Sequence, residues 1–152
     1  MREYTYRVDA DGRIFHDDTE IVDAATLRFF VLAMQRDSDG RHLVVCQGEQ
    51  NWFDAADTPL VIQRLRLHVE GGALARIELG LPGGHWETLD PASLSTERGS
   101  VYAGVRRGQL RARFGRVAMQ QLAPHLVADG GGAALALGGG RHAIAEPAPV
   151  TP

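Results

Sequence analysis

The chain has 152 residues, a formal net charge of −3, and 44% apolar and 23% charged residues. That is one domain's length, with room for a core that needs no metal or disulfide. The charge gives no global attraction for nucleic acid or an acidic membrane surface. One cysteine, Cys46, excludes an intrachain disulfide. The charged opening MREYTYRVDADG lacks the apolar centre of a signal peptide, and no run of about 18 apolar residues could span a bilayer. The expected location is cytoplasmic. All 16 basic residues are arginine.

Residues 3–8 alternate, with Tyr4, Tyr6 and Val8 on one face and Glu3, Thr5 and Arg7 on the other, which predicts a half-buried strand. Asp9-Ala10-Asp11-Gly12 is a turn, and residues 13–16 return. Asp23 stands at an N-cap position, and Leu27, Phe30, Val31 and Met34 follow on one helical face. Residues 37–40 stop that helix. Residues 41–46 predict a strand, 48–51 a turn, and Trp52-Phe53 a short strand. Residues 60–70 read as one long strand, with Leu65, Leu67 and Val69 opposite Arg64, Arg66 and His68. Gly71-Gly72 turns it into residues 73–81, where Leu74, Arg76 and Glu78 oppose Ala75, Ile77 and Leu79. Residues 85–88 form a further strand, and 90–99 a loop with one helical turn.

A second hairpin is predicted at 101–105 and 109–114, turning at Arg107-Gly108. A helix follows from about residue 116, with Val117, Leu122 and Leu126 apolar, broken at Pro124. Residues 133–137 and 141–145 make a terminal hairpin. The expected fold class is α+β, antiparallel sheets with two helices in two repeats of hairpin, helix and strand. The expected organisation is one compact domain, 1–146, with sub-repeats 2–46 and 101–146 joined by the 60–81 hairpin. A loose Pro-rich tail, 147–152, follows.

Arginine is the most suggestive chemistry. Arg64, Arg66 and His68 share a strand face, and Arg106, Arg107, Arg111, Arg113 and Arg116 fall within eleven residues. If the two strands are neighbours they form a basic sheet face, and guanidinium forks suit carboxylate or phosphate. The candidate anion or ligand contacts are therefore Arg64, Arg66, His68, Arg111 and Arg113. The plainer reading is a solvated face paired with Glu70 and Glu78. Trp52, Phe53 and Trp86 could stack on a base but are the commoner core type. His16-Asp17-Asp18 alternates across a strand, so its three potential ligands do not converge. No metal site and no cofactor are expected. No serine lies in a nucleophile elbow, the glycine triplets lack the lysine and setting of a phosphate loop, and Cys46 reads as an inert strand-end thiol.

The chain resembles an uncharacterised domain-of-unknown-function family whose vertebrate members are small predicted mitochondrial proteins. The resemblance rests on Arg2-Glu3-Tyr4, Tyr6, Val8-Asp9, Gly12, Phe15, Asp17-Asp18, Asn51 with Phe53, Pro59, Asp90-Pro91 with Leu94, residues 114–122 and Gly140-Arg141. A fainter likeness is to a second bacterial family of unknown function, built of repeated helix-on-sheet motifs and suggested to act in signalling. Gly12, Asp39-Gly40, Val105-Arg106 with Gly108, and Arg116-Val117 carry it. Neither resemblance supplies a catalytic residue or a substrate; they imply a fold and a binding or signalling role.

The expected function is a non-enzymatic ligand- or protein-binding or regulatory module. Its partner would be a small anionic ligand or a protein, with no membrane contact. The charge weighs against nucleic acid, and the edge at 141–145 offers pairing to a second copy. The rival expectation is an enzyme acting on a phosphorylated or carboxylated small molecule through an Arg-lined pocket, with His16 or His68 as acid–base.

Overall fold

Aromatic alternation builds the first strand, and a carboxylate closes its turn. In the computed structural model, residues 2–146 are described; the tail at 147–152 lies outside them. β1 (Glu3–Val8) turns at Asp9, whose Oδ1 accepts the Asp11 and Arg13 N–H groups at 3.0 and 2.9 Å. The chain returns as β2 (Ile14–His16) and β3 (Thr19–Glu20). Asp23 caps α1 (Ala24–Ala33), accepting the Thr26 N–H at 2.9 Å and its hydroxyl at 2.7 Å. β4 (Gln35–Arg36), β5 (His42–Cys46) and β6 (Glu49–Ala55) follow.

These strands form one six-stranded sheet, β3-β2-β1-β6-β5-β4. Its central pair, β1 and β6, runs parallel, which needs a crossover, and α1 lies within that crossover. Phe30, Val31 and Met34 are buried beneath α1. The rings of Tyr6, Phe30 and Phe53 pack with centroids 5.1–5.2 Å apart.

Of the turn expected at 48–51, only Gly48 bends the chain, and residues 49–51 open β6. The bend is Gln47-Gly48, both in the left-handed region at φ 50° and 77°, a two-residue hairpin turn. Asn51 enters the sheet because its Nδ2 donates to the Val44 carbonyl at 3.0 Å, which satisfies a buried amide.

The strand expected at 60–70 breaks at Gln63. β7 (Leu60–Ile62) is buried throughout and pairs in parallel with β13 (Leu110–Phe114). β8 (Arg64–Glu70) joins β9 (Ala73–Leu81) and β10 (His85–Thr88) in a separate antiparallel sheet. Opposite the His68–Val69 step, β9 carries one extra residue, Ala75. This bulge shifts the alternation. Leu74 and Ile77 both face the core, at 7% and 0% exposure, where a period of two would place them on opposite faces. Val69 is left 59% exposed.

The loop expected at 90–99 holds a 3-10 turn, Pro91–Ser93, and β11 (Ser95–Glu97). β12 (Ser100–Val105) completes the sheet β11-β12-β13-β7. α2 (Arg116–Leu122) ends before a 3-10 turn, Ala123–His125, with Pro124 near its start. Leu126, read from sequence as helical, therefore begins β14 (Leu126–Asp129), which pairs with β15 (Gly132–Leu137) and β16 (Gly140–Ala143). The architecture is the expected α+β one, with the two parallel pairings added.

Two contacts fix the middle of the chain. Gln121 on α2 completes the open edge of β8: its Oε1 accepts the Leu65 N–H at 2.7 Å and its Nε2 donates to the Leu65 carbonyl at 3.0 Å. A side-chain amide thus stands in for a neighbouring strand. The second is the docking of α1 on the 3-10 turn Pro82–Gly84. Gly83 has φ 79°, and a Cβ there would lie 2.8 Å from the Ala24 carbonyl oxygen and from the Arg28 Cα. Arg28 Nε donates to the Gly83 carbonyl at 3.1 Å.

Candidate functional site

The five candidate anion contacts do not form one face. Arg64, Arg66 and His68 stand on β8, and Arg111 and Arg113 on β13, in different sheets. All but Arg64 have protein partners. Arg66 lies 3.8 Å above the Trp86 ring, and His68 Nε2 is 2.5 Å from Glu78 Oε1. Arg111 pairs with Glu97 at 2.7 Å and lies 3.6 Å over the Tyr102 ring, and its guanidinium holds the Glu97 carboxyl below its ordinary value. Arg113 donates to the Ala10 carbonyl and sits 3.5 Å from Asp57. Asp57 also accepts the Tyr102 hydroxyl at 2.7 Å; burial first, then that bond, push the Tyr102 phenol up. Arg113 thereby ties the first hairpin's turn to the second hairpin. His16 packs between Tyr4 and Tyr6, centroids 5.9 and 5.0 Å away. Among the described residues no group of three His, Cys, Asp or Glu side chains could hold a metal ion.

A different cluster converges where α1, β10 and the turn of the second hairpin meet. Leu32, His85, Glu87, Thr88, Arg106, Arg107 and Gln109 line a cleft of about 690 Å³. Glu87 organises it. Its Oε2 lies 3.0 Å from His85 Nε2, and its Oε1 accepts the Arg106 N–H at 2.7 Å. Both side chains are mostly shielded, His85 at 23% and Glu87 at 18% exposure. Arg106 spans the cleft: Nη1 donates to the Met34 carbonyl at the end of α1, and Nη2 approaches Gln109 Oε1 at 3.4 Å.

The local backbone is costly. Arg106, Arg107 and Gly108 are three consecutive left-handed residues, at φ 52°, 58° and 78°, and a left-handed conformation costs a non-glycine residue roughly 1–2 kcal/mol. The bonds to Glu87, Met34 and Gln109 offset that cost at Arg106. Arg107 is exposed, and among the described residues it makes no ion pair or side-chain hydrogen bond. A free guanidinium, a hydroxyl and an amide beside the exposed Leu32 can grip an anion with a small organic body.

Sequence pattern placed Arg106 and Arg107 in a basic run and Arg107-Gly108 at the hairpin turn, but did not connect them with a cleft. Their partners Leu32, His85, Glu87 and Thr88 come from segments far apart in the chain. The one local signal was the Arg-Arg-Gly turn, where glycine or asparagine is the usual occupant.

The fold defined by these elements is an α+β protein in which hairpin, helix and antiparallel strands occur twice along the chain. Its likeness to known proteins is structural. A DUF1285 family protein from Silicibacter pomeroyi DSS-3 matches with a TM-score of 0.71 at 18% identity, over 94% of this chain and 82% of that chain. A DUF1285 family protein from Shewanella baltica OS155 matches with a TM-score of 0.62 at 17% identity, over 80% and 91%. At such identity the likeness is one of fold, and both neighbours carry a domain of unknown function. No family model matches the chain, and no curated protein matches it. Among the described residues no helix is long and apolar enough to cross a membrane.

Proposed function

We propose that the chain is a binding module that takes a small carboxylate or phosphate ligand in the cleft between α1 and the second hairpin, with Arg107 as the primary anion contact. The observation that carries this reading is Arg107 itself, a left-handed, exposed arginine that lines the cleft without a carboxylate partner among the described residues. Of the anion contacts expected from sequence, Arg66, His68, Arg111 and Arg113 have rings, carboxylates or carbonyls as partners, and Arg64, which has none among the described residues, does not line the cleft, whereas Arg107 does.

The test is thermal shift of the purified protein against inorganic phosphate, sugar phosphates and di- and tricarboxylates, with an Arg107→Gly variant beside it. Ligand at about 100 times its Kd adds about 2.7 kcal/mol, or roughly 5–10 °C for this size. The variant should lose the shift. Its own Tm should match or exceed that of the parent, because glycine carries no left-handed penalty. A shift retained in the variant, or none across the panel, overturns the reading.

One observation favours the enzyme reading as second choice. Glu87 orients the His85 imidazole at 3.0 Å inside the same cleft. Turnover of a bound ligand that His85→Gln abolishes, with binding retained, would establish it.

A further inference from the structure

His85 and Glu87 meet because β10 is a strand. Residues two apart on a strand share a face, so these two side chains point one way and Trp86 the other. Trp86 is wedged in place. Arg66 lies 3.8 Å over its ring, and a Cβ on Gly80 would stand 2.9 Å from two of its ring carbons. That packing holds the opposite face of β10, with His85 and Glu87, to the cleft.

Both oxygens of Glu87 are engaged. Oε1 accepts the Arg106 N–H at 2.7 Å, and Oε2 stands 3.0 Å from His85 Nε2. An ionised carboxylate only accepts, so the neutral imidazole carries its proton on Nε2 and a lone pair on Nδ1. Nδ1 has no partner among the described residues. No buried side-chain nitrogen or oxygen among them lacks a partner, so Nδ1 is open to solvent. The two arginines of the cleft can only donate, and Arg106 is already committed to the Met34 carbonyl and to Gln109. The cleft therefore offers one oriented acceptor nitrogen beside one free guanidinium.

We infer that the ligand of this cleft carries a hydroxyl beside its anionic group, the hydroxyl donating to His85 Nδ1 while Arg107 holds the anion. The class is that of hydroxycarboxylates and of polyol or sugar phosphates, in preference to plain acids and alkyl phosphates. The inference rests on the anion reading of the cleft and adds what that reading leaves open, the neutral part of the ligand. His85 is then the specificity-determining residue, and Glu87 a positioning residue that sets its tautomer.

Titration calorimetry on the full chain at about pH 8.5, above the usual imidazole pKa of about 6.5, compares malate with succinate and glycerol phosphate with propyl phosphate. In each pair that binds, the hydroxyl ligand should bind roughly 3–10-fold tighter, the worth of one hydrogen bond. His85→Phe should bring the two affinities together. Arg107→Gly should lower both members alike and keep their ratio. Glu87→Gln is the sharper test. Its Oε1 still has to accept the Arg106 N–H, so its amide NH₂ donates to Nε2 and moves the imidazole proton to Nδ1. Nδ1 then donates, and O-methylmalate, which accepts there but cannot donate, should gain on malate. Equal affinities within each pair, with Arg107 still required, overturn this inference and leave the anion reading standing. No binding of any member overturns both. A preference that survives His85→Phe, or an O-methylmalate-to-malate ratio unchanged by Glu87→Gln, also overturns it, because the acceptor is then elsewhere. If His85→Phe alters the fold, Glu87→Gln decides alone.

Discussion

Replacing Gly83 by alanine should be among the most damaging single-methyl changes in this chain, because backbone surrounds the site. The new Cβ would lie 2.8 Å from the Ala24 carbonyl oxygen and from the Arg28 Cα, and closer still to the Arg28 nitrogen. None of these atoms can rotate away, so α1 must shift as a body. The left-handed φ of 79° adds a penalty of roughly 1–2 kcal/mol. Reduced freedom of the unfolded chain returns about 0.4–1 kcal/mol of it, and overpacking adds about 1–3 kcal/mol. The expected loss is about 3 kcal/mol, or roughly 6–12 °C in Tm at this size. Gly84 supplies the control. It has φ 73°, but a Cβ there meets only the flexible end of Arg28, at 3.7 Å, so Gly84→Ala should cost about 1 kcal/mol or less. Urea unfolding followed by circular dichroism measures both. Equal losses in the two variants would refute the reasoning, because then the left-handed penalty alone would account for both and α1 would not be seated on Gly83.

Two further changes probe other links. Gln121→Ala should cost about 1–3 kcal/mol, since it leaves the Leu65 N–H and carbonyl without their partners; faster amide exchange at Leu65 would locate the loss, and unchanged exchange would sink the assignment. Burial, with help from Arg36, pushes the His42 imidazole below its usual 6.5 while Asp37 opposes. The unfolded chain therefore takes up the proton first as pH falls through 6.5 toward the lowered native value, and stability must decrease across that window. His42→Gln should flatten the decrease in urea midpoint between about pH 7.5 and 5.5, and an equal slope in the variant would remove His42 as its source.

The elements that could be read from sequence are those whose signal is local. The Asp23 cap, the Leu27-Phe30-Val31-Met34 stripe and the break at Pro124 depend on residues within two helical turns. Where non-local contacts decide, the pattern misleads. Residues 49–51 look like a turn because they are polar, yet Asn51 is buried once Val44 offers a carbonyl. Residues 60–70 look continuous because apolar residues run through Gln63, yet β7 and β8 serve different sheets. The alternation of residues 73–81 is broken by a bulge that no composition announces. The cleft was illegible for the same reason: Glu87 binds the backbone of a residue 19 positions away and Arg106 reaches one 72 positions away.

The left-handed residues separate turn geometry from function. Gln47 and Arg98 are also left-handed, at φ 50° and 52°, and each precedes a glycine in a two-residue hairpin turn, where the twist of the strands requires positive φ. Those positions explain themselves. At the second hairpin the loop between Val105 and Leu110 is four residues long, and three of them are left-handed in succession. Arg106 is held there by Glu87 and by the end of α1, so its conformation follows from the joining of the two halves. Arg107 has no such hold. Glycine or asparagine would relieve the strain at that position without removing any side-chain hydrogen bond or ion pair among the described residues. An arginine that costs stability and makes no hydrogen bond or ion pair among the described residues is the residue whose purpose the proposed ligand would supply.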